Sequence, residues 1–551
     1  MDPPQLSILP PLDVIIDRLR SNLPPPPELV TGYEATKAQA ARALRRLQRD
    51  ATSGSVIDLE PAEYHYAAYC ALFAPIRRLP VEVLGEIFGH CARMAPPAVY
   101  GQQVDWSRIE KRTLRTLEGV CLRWSEIVRD SMSFWREIEM DGRAFRFLNS
   151  AQDQRACTLF AASLERARNV SLDVRLQWVH RNALPLIKPV LARCERLHIA
   201  TIQTSQELTE FARCTKHNLP RLTFLRFVAN DTAVESAEQL SWMDSEGAPR
   251  LRELSVSSSL MGYVPVDEME ELRTLECTAH LPGVPAAVAA AARIPAHIAY
   301  RFLFYPTNFD PRPGHHLTVA DLTVHPTASD IHSLTLGVGN LHRPHAPQQA
   351  TGVLQKTLAA LTLPALQTLR FEKSDSSDAA DTPLPVFWSG IHDAFLALAE
   401  RSSFASDLLV LDLLGVNIPI RDLEECLLLL KVLEKLRVAD IPSAHVAPLI
   451  TGRLLWVRTD PLVPRLHFLT LHTTLAFDNL HLSEFVKSRA ELLNSDSTDP
   501  NPSAFELHVR VLRGYWDYQA FRRWKAFRTA ADVVALTESG KLRFSWTSLA
   551  E

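Results

Sequence analysis

The chain has 551 residues, 46% of them hydrophobic and 22% charged, with a formal net charge of −4 and a pI near 6.6. That is an ordinary globular composition with room for more than one domain. It excludes a global electrostatic pull towards nucleic acid or an anionic membrane.

From the N-terminus, Leu12, Ile15, Ile16 and Leu19 make a short helical stripe, which Pro24 to Pro27 must end. Residues 34–49, rich in Ala, Arg, Lys and Gln around Leu44 and Leu47, predict a second helix on propensity. Tyr64, Tyr66, Tyr69, Leu72 and Phe73 lead into the next segment. Residues 1–73 therefore read as a helical N-terminal extension packed on the rest of the protein. No basic region followed by an apolar core opens the chain, so no signal peptide is expected.

Residues 74–140 read as a small helical domain. Pro80 suits the first position of a helix, and Glu82 falls in a first turn where a negative charge is favoured. Val83, Leu84, Ile87, Phe88 and Cys91 follow at spacings of three and four, one stripe of an amphipathic helix. A second stripe runs Leu114, Leu117, Val120, Cys121, Trp124 and Val128, and Trp135 supplies an anchor. So short a segment buries little surface, and its dense apolar face predicts a protein partner.

In order, Leu79-Pro-x-Glu-x-Leu-x-x-Ile-Phe88, Val120-Cys-x-x-Trp124 and Phe134-Trp135 resemble the F-box family. The resemblance implies binding to a Skp-type adaptor that docks on the cullin scaffold of a ubiquitin ligase. Carried over position by position, the adaptor-binding residues are Leu79, Pro80, Leu84, Ile87, Phe88, Val120, Cys121 and Trp124. The connection from Met94 to Thr113 is longer than is usual in that family. The layout as a whole resembles F-box-like proteins of fungi.

Beyond Met140 one template recurs: Leu222-x-x-Leu225-x-Phe227, with copies starting at Leu251, Leu272, Leu366, Leu408, Leu433 and Leu466. Pro220, Pro249, Pro364 and Pro464 stand two residues ahead of four of them. The pattern resembles leucine-rich repeats, in which short strands stack into a parallel sheet, and Asn169 to Val174 and Arg196 to Ile199 are shorter candidates to begin the array. Spacing is uneven, with a gap of 94 (366 − 272) between two copies. The predicted fold is therefore mixed α+β and α/β: a small helical F-box, then an irregular leucine-rich-repeat solenoid of parallel strands and helices over 141–490. Alternation along each strand places Arg226, Ser255, Glu276, Arg370, Asp412, Arg437 and Thr470 on its open face. Of these, Arg226, Arg370 and Arg437 are the candidate target-binding residues, suited to an acidic or phosphorylated partner.

Ser374 to Thr382 and Asn494 to Ser503 read as surface loops or linkers. Residues 491–551 are expected to be a linker and an aromatic-rich cap, with strand-like alternation at Phe505, Leu507, Val509 and Val511 and a last strand at Leu542 to Trp546. Trp516, Tyr518, Phe521, Trp524 and Phe527 fall between them at mostly helical spacing.

Eight separated cysteines without a Cys-x-x-Cys pair argue against a zinc site or a disulfide framework, and place the protein in a reducing compartment, cytosol or nucleus. Arg293 and Pro295 interrupt the Ala-rich stretch from Val284 to Tyr305, which is rejected as a membrane span. No Gly-x-Ser-x-Gly, Walker loop or His-Glu-x-x-His occurs, and Gly337-Val-Gly339 lacks a third glycine. His315, His316, His325, His342 and His345 sit near prolines without cysteine or carboxylate company, so no metal and no cofactor are expected. The leading expectation is a non-catalytic substrate receptor of a cullin-based ligase, whose partners are the adaptor, the cullin and an unknown target protein, with neither nucleic acid nor membrane. The alternative is an interaction scaffold with no role in degradation.

Overall fold

The computed structural model describes residues 12–21, 27–52, 60–93, 113–140, 151–177, 179, 184–202, 204–216, 218–229, 237–306, 318–339, 346–373, 388–414, 416, 418–440, 463–473, 479–495, 504–511 and 518–548. Pro24 to Pro26, the connection 94–112, the segments 374–382 and 496–503, Trp516, and His315, His316, His342 and His345 lie outside the described residues. Two compact units result: residues 1–139 with 154–172, and residues 140–153 with 173–551.

The first unit is helical. Helices α1 (Leu12–Ser21), α2 (Val30–Thr52) and α3 (Glu60–Leu72) pack through Ile15, Tyr33, Ala68, Tyr69 and Leu72, with Leu19 and Phe73 against them. Ile15 and Leu19 of the predicted α1 stripe thus face the neighbouring helices. Next come α4 (Val81–Arg93), α5 (113–118), α6 (Leu122–Asp130), a 3₁₀ turn at Met132–Trp135, and a short strand β1 (Glu137–Met140) at the unit boundary. Helix α7 (Ala151–Arg166) follows, most of it within this unit.

The second unit is built on a large parallel sheet. Its strands are β2 (Leu172–Leu176), β3 (Cys194–Ile202), β4 (Phe224–Ala229), β5 (Glu253–Ser257), β6 (Thr274–Ala279), β7 (Ala299–Phe304) and, past a two-residue strand β8 (Thr327–Ala328), β9 (Ser333–Val338). After a second two-residue strand, β10 (Leu361–Thr362), the sheet continues through β11 (Thr368–Lys373), β12 (Val410–Leu413), β13 (Lys435–Asp440), β14 (Phe468–Thr473), β15 (Phe505–Val511) and β16 (Leu542–Ser548). Apart from the small β8–β10 pair, the strands lie side by side in chain order without closing into a barrel. Helices return the chain between many of them, which a parallel sheet requires. The arrangement is compatible with an α/β solenoid-like domain.

Register explains the template. Leu225, Leu254, Leu275, Tyr300, Leu334, Leu369, Leu411, Leu436, Leu469 and Leu507 stand opposite one another strand by strand. Each is at most 2% exposed, so the row forms one spine of the core. Aromatic side chains back it: Phe211, Phe227 and Trp242 meet edge-on or tilted, as do Phe371, Trp388, Phe395 and Phe404.

Among the described residues, two strands of the large sheet fill the 94-residue gap. Strand β7 escapes the template because Tyr300 and Phe302 hold its core positions, and β9 because Ile331 stands where other copies have leucine. The C-terminal piece also runs on in register, β14 to β15 to β16, all parallel. Among the described residues no helix is long and apolar enough to cross a membrane.

Candidate functional site

The motif-bearing segment opens with a 3₁₀ turn at Pro75–Arg78 and an extended Leu79. The carbonyl of Pro80 accepts from the Leu84 amide at 3.1 Å, so Pro80 caps α4 one residue ahead of its expected place. Glu82 does occupy the first turn. The stripe divides by depth: Leu84 and Phe88 are 0% exposed, whereas Val81 and Val83 are 50% and 43% exposed. Phe88 packs on Trp124 of α6, ring centroids 4.7 Å apart at 56°.

The second stripe is not one helix. After α5, the Gly119 amide bonds the carbonyls of Arg115 and Thr116, and Cys121 takes extended backbone angles of −162° and 167° to cap α6. An extended residue throws its neighbours to the opposite side. Cys121 is accordingly buried, while Val120 and Leu122 emerge 52% and 61% exposed. Of the expected adaptor-binding residues, Pro80 and Val120 are thus exposed, Leu79, Ile87 and Trp124 half-buried, and Leu84, Phe88 and Cys121 buried. The buried three differ from an outward-facing expectation because they fill the interior of the helix pair. Val81, Val83 and Leu122 add apolar surface that the motif did not single out.

Charged side chains fix the pair from outside. The Arg123 guanidinium donates to the carbonyls of Arg77 (2.7 Å) and Leu79 (2.6 Å), holding the entry to α4 on α6. Arg77 in turn donates to the carbonyls of Arg18 and Leu19, near the end of α1, at 3.1 and 3.3 Å. Such charge-assisted bonds are stronger than neutral ones, and partial burial holds the Arg77 pKa below the ordinary arginine value. Trp135 donates from Nε1 to the Val128 carbonyl at 2.9 Å, and the Arg166 guanidinium lies 4.5 Å above its ring.

Residues 76–141 match the F-box-like family. This helix pair is an F-box-like domain. Domains of this kind are typically non-catalytic and bind Skp-type adaptors, so it points to a role in ubiquitin-ligase adaptor binding. No curated protein matches the chain.

Beyond the F-box-like domain, the second candidate surface is the open sheet face. There Arg226, Ser255, Glu276, Arg301, Thr335, Arg370, Asp412, Arg437 and Thr470 stand in one cross-strand row. Much of the row pairs internally. Arg437 donates to Asp412 at 2.7 Å, so its fork already holds an acid. Ser255 donates to Glu276 at 2.6 Å, and Arg301 bridges Glu276 (2.7 Å) and Glu372. Burial pushes the Glu372 and Asp412 carboxyls up, against the pull of Arg301 and Arg437 respectively. Gly337 makes this crowding possible, since a Cβ there would lie 2.2 Å from Leu303 and 3.3 Å from Glu372. Arg226 and Arg370 are exposed, with no hydrogen bond or ion pair among the described residues.

Arg301 escaped the sequence reading because its strand lacks the leucine template. Among the described residues no three His, Cys, Asp or Glu groups are placed to hold a metal.

Proposed function

We propose that the protein is a non-catalytic substrate receptor of an SCF-type ubiquitin ligase. Its F-box-like domain engages the Skp-type adaptor, and the parallel-sheet unit, a divergent leucine-rich-repeat array of the fungal F-box-like kind, presents a target. The match at residues 76–141 carries this reading. The sites divide by depth: Leu79, Pro80, Ile87, Val120 and Trp124, joined by Val83 and Leu122, make contact, while Leu84, Phe88 and Cys121 support them from beneath. The receptor acts by proximity, raising the effective concentration of a bound target near the ubiquitin-charged enzyme. The cytosol or nucleus is its proposed home, consistent with the free thiols at the described cysteines.

Co-expression with a Skp-type adaptor and capture of the complex tests this. Wild type should retain the adaptor, and a Val83→Asp/Val120→Asp variant should lose it. Equal failure of both rejects the adaptor role. Undiminished target ubiquitination after removal of residues 75–140 favours a scaffold instead.

A further inference from the structure

The net charge that denies this chain a global pull towards polyanions is unevenly spread. Residues 504–548 hold eight Lys and Arg against four Asp and Glu, a net of +4 (8 − 4), so the remainder carries −8 (−4 − 4). The excess centres on the helix Tyr518–Thr529, which contains Arg522, Arg523, Lys525 and Arg528 and no acid. Like charges three residues apart repel on a helix, so this row costs helical stability, and no carboxylate of the helix offsets it.

One side of the helix is anchored. Phe527 is 3% exposed and meets Phe544 of β16 edge-on, ring centroids 6.0 Å apart at 84°. Arg522, Lys525, Ala526, Arg528 and Thr529 are exposed. The side chains of Lys525 and Arg528 make no hydrogen bond or ion pair among the described residues. Two of the four acids are engaged with other cations. Asp532 of the helix Ala531–Glu538 lies 3.5 Å from Lys487, and Glu506 of β15 lies 3.3 Å from Arg543. At a rise of about 1.5 Å per residue, Arg522, Lys525 and Arg528 climb about 9 Å, a span that covers about two to three phosphates of one strand.

Chemistry separates the polyanions. A protein interface wants an apolar centre, and a helix lying on a membrane buries an apolar face in lipid. The one large apolar side chain described on this helix, Phe527, is already turned onto β16. A phosphate backbone asks only for cations. We propose that the exposed face of the helix Tyr518–Thr529 binds the phosphate backbone of a single nucleic-acid strand without reading its sequence, through Lys525 and Arg528 with Arg522 in the same row.

Fluorescence anisotropy of the full chain with a labelled oligouridine tests this. Wild type should bind with a Kd of about 10⁻⁶–10⁻⁴ M, and log affinity should fall linearly with log salt. Lys525→Gln/Arg528→Gln removes two cations from exposed positions. The slope should become shallower by about 1.4, and affinity at about 50 mM salt should drop at least about tenfold. Arg226→Gln/Arg370→Gln changes the net charge equally, from exposed positions of the sheet face, and should bind as wild type does. Should the first variant melt early, Arg528→Gln alone should lower the slope by about 0.7. No binding by wild type, an unchanged slope, or equal loss in both double variants overturns the proposal. Poly-glutamate and phosphatidylserine vesicles are titrated in parallel. Either one bound as tightly as oligouridine reassigns the face to an acidic protein or a membrane and overturns the proposal, whereas weaker binding of both supports it.

Discussion

Arg123 donates to the carbonyl oxygen of Leu79 at 2.6 Å, fixing the residue that begins the Leu-Pro motif to the helix that carries the Val-Cys-x-x-Trp motif. With its second bond, to Arg77, it makes the two motifs one rigid element.

Arg123→Met keeps the bulk of the side chain and removes both bonds. Bonds to a charged donor contribute about 1.5–3 kcal/mol each, and partial exposure brings the expected loss for the pair to about 2 kcal/mol. Amide hydrogen exchange across residues 75–88 should accelerate. Unchanged protection there would show that the clamp is ornamental.

Depth predicts opposite phenotypes within one motif. Phe88→Ala opens a cavity under Trp124 and should cost about 3–5 kcal/mol, seen as a lower melting temperature of the first unit. Val83→Asp and Val120→Asp alter exposed positions and should change stability by no more than about 0.5 kcal/mol while weakening adaptor capture at least about tenfold. Val83→Asp and Val120→Asp proteins that melt normally and still bind the adaptor would place the contact elsewhere.

Two histidines on the sheet face set an acid limit. His198 and His472 both have pKa values lowered to about 4, chiefly by burial and further by neighbouring arginines, against an ordinary 6.5. The unfolded chain therefore binds more protons than the folded one between those values, and stability falls as pH drops from about 6.5 towards 4. Glu372 and Asp412, whose carboxyls are raised, oppose this, because the fold takes up their protons earlier. A His198→Asn/His472→Asn variant isolates the histidine part: its melting temperature should gain on wild type as pH falls through that window. A constant difference from pH 7 to 4 would contradict the assignment.

Gly337→Ala places a methyl group against Leu303, which is 2% exposed and cannot move into solvent. Overpacking of this kind costs about 1–3 kcal/mol. Adding Leu303→Ala should recover part of the loss in thermal melts, and a pair of additive losses would refute the contact.

The motifs at Leu79–Phe88 and Val120–Trp124 were legible because helix-forming apolar spacing survives in a linear string. Which of those residues turn inward was not, since valine and leucine serve a core and a partner equally well. The break at Gly119 decided it, pushing Val120 and Leu122 outward around Cys121. Strands carrying the full leucine template announced themselves, whereas Tyr300 and Phe302 of β7, and Ile331 ahead of β9, gave no such signal. The Arg437–Asp412 and Arg301–Glu372 pairs were also hidden, for only strand register brings residues so distant together. The Arg123 clamp lands on backbone carbonyls, which carry no residue identity at all.

Because each long strand of the sheet bonds only to its predecessor and successor in chain order, tension on the C-terminus has a defined path. Pulling there peels away β16, then β15, then β14, each layer yielding separately while strands further in keep both neighbours. A molecule dragged by that tail into an unfolding machine would surrender its strands one at a time, with β2 and β3 among the last to go.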